Sequence, residues 1–573
     1  MQFDVEINDQ PVTAKRGETI KNVLDRIGIK VPTLCYMNGF SPTGGCRMCV
    51  VEVDGISELV PSCSHPVTEW MKIRTHSPRV LKARKVLVEL LLANHPDDCL
   101  YCERSGNCSL QDLAAEMNIR ERKYHGKRQN IQIDKACQSI VRDPAKCVMC
   151  GRCIRVCDEV IGVSAIDVIG RGSDSRIGTI YNKGLNAHTC IKCGQCIMVC
   201  PTGALTEKSN LHLVTDALNN PDLFPVIQFS PTVSASIGED FNLKASKDIL
   251  NLLRAALKKI GFRQVFDTSM AADLTIMEEA AEFMERLGKN ENLPLLTSCC
   301  PAWVKHIEGI RPQLLPNLSS TSSPQQMMGR LIKNYITTSA GQKIEKVFVV
   351  SVMPCTAKKY EADVDRMKDG ISRNVDAVIT TRELVRLIRL LGVDFNNLEP
   401  EPSDTHYSMR SSAGNLFGIS GGHLEGLLRT IHFMMTGQEM STLKISELRG
   451  MKGRKEARIK IGKTFINVAA VSGLPNVKSL LDDVEAGRQD VSIIEVMACP
   501  NGCINGGGQK LNSDEKNLKS RMKALYDVDE EEMIKVAHKN PVIIDLYDKF
   551  LAQPGSERNI ELLHISRNIK EVL

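Results

Sequence analysis

The chain has 573 residues, of which 42% are hydrophobic and 25% charged, with a formal net charge of +5. It is too long for one core, so three or four domains are expected, and its nearly balanced charge gives no footprint for nucleic acid. The start lacks a basic n-region and an apolar h-region, and no stretch approaches the roughly 18 apolar residues of a membrane span, so no membrane span and a cytoplasmic location are expected.

There are 21 cysteines. Without an export signal they read as metal ligands rather than disulfides. Residues 1–78 open with alternating Phe3, Val5 and Ile7, a turn at Asn8-Asp9 and a helical pattern at Ile20, Val23, Leu24 and Ile27, a small α+β module. Cys35, Cys46, Cys49 and Cys63 follow as C-x10-C-x2-C-x13-C around Gly44-Gly45. Four thiolates in one module suit a 2Fe-2S centre. A zinc ribbon would usually show two C-x2-C knuckles, and one is present.

Residues 79–125 read as helical, with Val80, Leu81, Val86, Leu87, Leu90 and Leu91 as an apolar stripe. His95 then precedes Cys99, Cys102 and Cys108. Three cysteines need a fourth partner, and imidazole can replace thiolate on iron, so a 4Fe-4S cluster with one histidine ligand is expected. Residues 126–209 carry a duplicated motif, Cys147-x2-Cys150-x2-Cys153-x3-Cys157 and Cys190-x2-Cys193-x2-Cys196-x3-Cys200-Pro201. In two-cluster ferredoxins the fourth cysteine of each run serves the other cluster. Cys147, Cys150, Cys153 and Cys200 are therefore expected to hold one 4Fe-4S cluster, and Cys190, Cys193, Cys196 and Cys157 a second.

From 210 to 573 strand-like runs alternate with helices, as in α/β architecture. Val226 to Phe229, Val347 to Met353, Ala377 to Thr380, Ile466 to Val471 and Ile493 to Met497 are the expected strands, with a helix at Arg382 to Leu391. Three loops, T-S-C-C-P-A-W from Thr297, M-P-C-T-A-K-K-Y-E from Met353 and M-A-C-P-N-G-C-I-N-G-G-G-Q from Met497, place cysteine after apolar runs. Ligands gather outside the carboxyl ends of such strands, so these cysteines can converge on one soft-metal centre. Pro294 in the first run predicts a short or edge strand.

Taken together the loops closely resemble those of the FeFe hydrogenases, and the likeness extends over essentially the whole chain. The resemblance implies ferredoxin-like iron-sulfur modules followed by an α/β domain bearing an H-cluster, a 4Fe-4S cube joined to a two-iron unit with carbonyl, cyanide and dithiolate ligands. It implies reversible reduction of protons to dihydrogen, fed by one 2Fe-2S and three accessory 4Fe-4S clusters. By motif position Cys300, Cys355, Cys499 and Cys503 would hold the cube, with Cys503 as the bridge. Cys299 would exchange protons with the two-iron unit, and Glu279, Ser319, Glu282 and Arg286 would form the outward proton route. Glu279, Glu282 and Arg286 share one helical face at i, i+3 and i+7; without the resemblance they would read as a solvated face with a Glu-to-Arg pair. Pro231, Thr232, Gln325, Met353, Lys358, Phe417 and Met497 would surround the two-iron unit, with Lys358 facing cyanide and Gly506-Gly507-Gly508 allowing close backbone approach. Cys137 is left as a structural thiol.

Ser230, Thr232, Ser234, His423 and Lys510 depart from the family pattern. The implied partners are ferredoxin or a nicotinamide-linked flavoprotein, together with hydrogenase maturation proteins. A dihydrogen-sensing member and an electron-transfer subunit are the rival readings. The second leaves the three later loops unexplained.

Overall fold

In a computed structural model of the chain the described residues are 2–565, apart from 127–131, 188, 244–246, 340, 365–367, 370–371, 404 and 489. The chain divides into two units. One comprises Met1–Glu159, Ser164–His188 and Val199–Thr206; the other comprises Val160–Val163, Thr189–Met198 and Glu207–Leu573. The residues of the duplicated cysteine motif are divided between the two units.

The first unit begins with β1 (Gln2–Ile7) and β2 (Gln10–Lys15), an antiparallel pair turning at Asn8 and Asp9, which both adopt positive φ. This is the backbone that a tight two-residue hairpin requires. With β3 (Val50–Val53), β4 (Val60–Pro61) and β5 (Lys72–Arg74) they make a sheet of order β2-β1-β5-β3-β4. Val5, Ile7, Val51, Val53 and Ile73 pack it against Ile20, Val23 and Leu24 of α1 (Ile20–Arg26). The expected helix beyond residue 78 is α2 (Pro78–Asn94), started by Ser77, whose side chain accepts from the Val80 N–H. It stops before His95-Pro96, because the residue preceding proline is pushed out of helical backbone. A second helix, α3 (Ser109–Glu116), follows the cysteines.

The second unit is built on two four-stranded sheets. The first is wholly parallel, with β6 (Phe224–Phe229) between β7 (Gln264–Asp267) and β8 (Val347–Met353), and β9 (Ala377–Thr380) beyond β8. Alternate residues of β8 serve different cores: Val347, Val349 and Met353 one, Val350 and Val352 the other. Burial on both faces explains why its strands read as unbroken apolar runs. The second sheet has at one edge a two-residue strand, Leu295–Leu296, paired in parallel with β11 (Val491–Met497). That strand is both short and at the edge, as Pro294 predicts. Next to β11 lies β10 (Thr464–Ser472), also parallel, and then Arg454–Ile461, antiparallel at the far edge.

Helices continue directly from the strand-end loops. Pro301 opens α4 (Pro301–Ile310) with Cys300 at its N-cap, and Ala357 opens α5 (Ala357–Asp363) just after Cys355. Proline at the first helical position sacrifices no hydrogen bond and presets φ. The helix after β9, α6 (Thr381–Leu390), starts with a full capping box between Thr380 and Glu383.

The third loop is tied down by glycine and by one arginine. A Cβ on Gly506 would lie 2.2 Å from the Pro354 carbonyl oxygen, and one on Gly507 would lie 2.1 Å from that of Cys193. Only glycine permits backbone to approach so closely. Arg382, buried, donates to both Glu207 oxygens at 3.1 Å, to the Gly507 carbonyl at 2.8 Å and to that of Gln509. Burial alone would raise the Glu207 carboxyl, but Arg382 pulls it down to about 2. Arg382→Met strands that carboxylate in the interior. We expect a loss of about 3–5 kcal/mol at neutral pH, read as a lowered denaturation midpoint with little change in slope.

Candidate metal centres and active site

In the first unit Cys35 lies within hydrogen-bonding reach of Cys46 and Cys63, and Cys63 of Cys49. Shared hydrogens pull the accepting thiols Cys35 and Cys49 down and push Cys46 and Cys63 up. The four predicted ligands thus form one cluster of sulfurs on loops flanking β3. Behind them, Cys99, Cys102, Cys108 and His95 line a single cavity of about 430 Å³. His95 Nδ1 faces the Pro96 carbonyl at 3.0 Å, while Nε2 is buried without a hydrogen-bond partner. A carbonyl at Nδ1 fixes the proton there and leaves the Nε2 lone pair for a metal. Gly203 lines the same cavity, where a Cβ would come within 2.6 Å of the Cys102 sulfur. Cys147, Cys150, Cys153 and Cys200 line another cavity, as the crossed ferredoxin pairing requires. Burial pushes Cys150 up to about 12, with Cys200 and Cys147 adding to it. Of the remaining ligands, Cys157 belongs to the first unit and Cys190, Cys193 and Cys196 to the second.

The second unit brings the three loops together. Cys299, Cys300, Cys355 and Cys503 line one cavity with Pro231, Gln325, Met353, Lys358, Phe417 and Met497. Cys499 does not line this cavity; burial pushes its thiol up, and the thiols of Cys193, Cys355, Cys300 and Cys503 push it further. Gln195 Nε2 donates to Cys499 Sγ at 3.4 Å and to the Asn505 carbonyl at 2.7 Å. The second ferredoxin motif therefore abuts the third loop through Cys193 and Gln195. The first loop is pinned through Thr297, which accepts from the Val496 N–H at 3.1 Å and from Trp303 Nε1 at 3.1 Å. Ser298 donates to the Thr321 carbonyl at 2.9 Å.

The donor set fits a multi-iron centre. Cys355 is pushed up to about 12 by burial and then by Cys300, and Cys503 is pushed up by the same two causes. Thiols crowded in an apolar pocket cannot all ionise unless a cationic centre joins them. The nearby cation, Lys358, is itself buried. Burial alone would lower its pKa, but the Glu361 carboxylate at 3.0 Å keeps it above the usual value. Glu361 also accepts from Ser323 at 2.9 Å and Gln325 at 3.0 Å. It closes the M-P-C-T-A-K-K-Y-E loop motif, which by itself gave it no role; its place three residues after Lys358 on one helix was the available signal.

The predicted proton route falls into two parts. Glu279, Glu282 and Arg286 all lie on the helix Ser269–Lys289. Glu282 accepts from Ser319 Oγ at 2.8 Å and from Arg286 at 2.6 Å, and Arg286 also donates to the carbonyls of Asn317 and Leu318 at 3.0 Å. Glu279 is separate: neither of its oxygens makes a directed hydrogen bond, and its near neighbour is His423, with Nε2 at 2.7 Å. Thr232 does not line the cavity. Its Oγ1 pairs with Ser230 Oγ at 2.9 Å, and Ser230 lines the cavity in its place. Ser234 donates to the Pro231 carbonyl, and Lys510 to that of Glu239 at 2.6 Å.

Residues 224–507 match the family model described as "Iron only hydrogenase large subunit, C-terminal domain", and 515–566 that of "Iron hydrogenase small subunit". Ahead of them, 1–78 match a 2Fe-2S iron-sulfur cluster binding domain. Residues 84–123 match an NADH-ubiquinone oxidoreductase-G iron-sulfur binding region, and 137–206 an NADH-quinone oxidoreductase subunit 3 ferredoxin-like domain. The chain is 42% identical to "NADP-reducing hydrogenase subunit HndD" of Solidesulfovibrio fructosivorans over 98% of both chains. It is 36% identical to "Iron hydrogenase 1" of Clostridium pasteurianum over 97% of this chain and 98% of the relative. A solved structure of FeFe hydrogenase HydA1 from Chlamydomonas reinhardtii superposes with a TM-score of 0.56 at 34% identity, covering 62% of this chain and 98% of that one. Among the described residues no helix is long and apolar enough to cross a membrane. Thiol loops converging at strand ends, iron-sulfur modules ahead of them and full-length likeness to named hydrogenases lead to one conclusion: the chain belongs to the iron-only (FeFe) hydrogenases, oxidoreductases of dihydrogen, and carries iron-sulfur domains before its H-cluster domain.

Proposed function

We propose that Cys300, Cys355, Cys499 and Cys503 hold the four-iron cube of the H-cluster, Cys503 being the bridge, and that the cavity beside Cys299 receives the two-iron unit. The observation that carries this reading is that Cys299, Cys300, Cys355 and Cys503, from three loops following strands of two sheets, line one cavity. When bound, the iron unit supplies the redox chemistry of proton and dihydrogen interconversion. The chain's own residues supply position, charge and proton access. Lys358, held charged by Glu361, presents a fixed cation to an anionic ligand. Pro231, Phe417, Met353 and Met497 exclude water, and Gln325 offers an amide. Thr232 acts from behind through Ser230. Cys299 exchanges the proton, which Glu279, Ser319, Glu282 and Arg286 exchange with the surface.

In this reading residues 1–78 hold one 2Fe-2S cluster on Cys35, Cys46, Cys49 and Cys63. Residues 79–125 hold a 4Fe-4S cluster on His95, Cys99, Cys102 and Cys108. Residues 126–209 hold two more on the crossed cysteine sets, and 210–573 form the catalytic domain. Electrons come from ferredoxin or from a nicotinamide-linked flavoprotein. The second is favoured by full-length likeness to a protein named as a subunit of an NADP-reducing hydrogenase. The enzyme is assembled by hydrogenase maturation proteins and works in the cytoplasm.

Two experiments test these assignments. Cys299→Ala, in protein carrying the two-iron unit, should cut dihydrogen evolution from a reduced viologen by about 10²-fold or more while the carbonyl and cyanide infrared bands persist. Unchanged turnover rejects Cys299 as proton donor. His95→Cys should retain a 4Fe-4S signal by electron paramagnetic resonance but lower that cluster's reduction potential, since imidazole in place of thiolate raises it. An unmoved potential removes His95 from the ligand set.

A further inference from the structure

His423 sits in the first turn of the helix Gly422–Thr436, wholly buried beside the candidate active site. Its Nδ1 lies 3.8 Å from Cys299 Sγ, and its Nε2 2.7 Å from a Glu279 oxygen. The ring stacks on Phe417, centroids 4.1 Å apart and planes at 22°. The backbone on either side is held as well: the buried Glu495 carboxylate accepts from the N–H of Gly421 at 2.7 Å and of Leu424 at 2.8 Å. Gly422 is pressed against the Leu416 carbonyl, where a Cβ would lie 2.1 Å from the oxygen. Glu279 is a buried carboxylate with no directed hydrogen bond, and one of its oxygens lies 2.7 Å from this imidazole. Thiol, imidazole and carboxylate thus stand in the order that activates cysteine nucleophiles elsewhere.

We infer that His423 is a positioning residue for proton delivery: Glu279 keeps the imidazole proton on Nε2, which leaves Nδ1 to accept from and orient the Cys299 S–H. The inference rests on the reading of Cys299 as proton donor. His423 positions the proton rather than carrying it. A proton passed through an imidazole leaves the ring protonated on the opposite nitrogen, so each further passage needs a half-turn of the ring. This ring is buried and stacked on Phe417, with Cys299 at Nδ1 and the Glu279 carboxylate close to Nε2, which opposes such a turn.

The test reads the S–H stretch by infrared spectroscopy in protein loaded with its iron-sulfur clusters. Under the ligand assignment above, only Cys137 and Cys299 of the 21 cysteines keep a hydrogen, and Cys137→Ala identifies the Cys299 band. An Asn side chain places a carbonyl near the Nδ1 position, whereas a Gln side chain reaches only the Nε2 position. H423V and H423Q should move the Cys299 band to higher frequency, and H423N should leave it near the wild-type value. Turnover with reduced viologen should fall about 10- to 100-fold in H423V and less in H423N. A Cys299 band unmoved in H423V and H423Q, or moved equally in H423N and H423Q, overturns the inference. Turnover surviving in Cys299→Ala overturns the underlying reading instead, so the two failures are distinct.

Discussion

A thiol buried beside other thiols resists ionisation, yet a cysteine holds iron only as its thiolate. Cys355, Cys499 and Cys503 live with that conflict. Burial and neighbouring thiols, Cys300 among them, raise Cys355, Cys499 and Cys503, and the nearby cation, Lys358, already belongs to Glu361. Such a group stays crowded only if the backbone leaves its loops no room to separate. Parallel strands satisfy that requirement, because β8 and β11 are buried on both faces and end in the same region. The helices that continue from the loops hold the sulfurs from the other side, Cys300 being the N-cap of one and Cys355 lying two residues before another. The centre is thus a consequence of sheet topology, with the cysteine motifs placed where that topology converges.

The same constraint decides which features can be read from a linear chain. The iron-sulfur domains were legible, because iron-sulfur coordination demands cysteine at short fixed spacings and few other functions do. The strand Val347–Met353 was legible residue for residue, since a strand buried on both faces is an unbroken apolar run with little freedom in its ends. Arg454–Ile461 was not. Its sequence, RKEARIKI, is a charged edge strand, and edge strands commonly carry such charges to block pairing with other chains. Gln264–Asp267 escaped because four residues between two helices leave too short an alternation to read. Within 79–125, read as helical, α2 ends at Asn94 and α3 resumes only at Ser109, since the stripe breaks at His95-Pro96 and backbone restriction outweighs periodicity there.

Long-range polar partners were least legible. Glu207 and Arg382 are separated by 175 residues, and Gln195 and Cys499 by 304, so no local pattern announces them. Glu361 was within reach, because Lys358 precedes it by one helical turn, but an i, i+3 Lys-Glu pair is also what any exposed helix shows. Only burial separates the two cases: the side chain of Glu361 is 4% exposed. Buried ion pairs add little net stability but are costly to break. Glu361, which also gathers Ser323 and Gln325, is therefore best understood as fixing where Lys358 points.

The departures from the family pattern separate by the same criterion. The added hydroxyls at Ser230, Thr232 and Ser234 find partners among themselves and in the Pro231 carbonyl, so they enter the wall without leaving a demand on the site. Lys510 turns to the Glu239 carbonyl, with Asp240 at 3.8 Å, and does not line the cavity. His423 differs in kind. It introduces two nitrogens into a region where Glu279 has no directed hydrogen bond, and one of them faces the Cys299 thiol. A buried polar group alters its neighbours in proportion to what they lack. Of the departures, His423 is accordingly the one whose chemistry can reach the reacting centre.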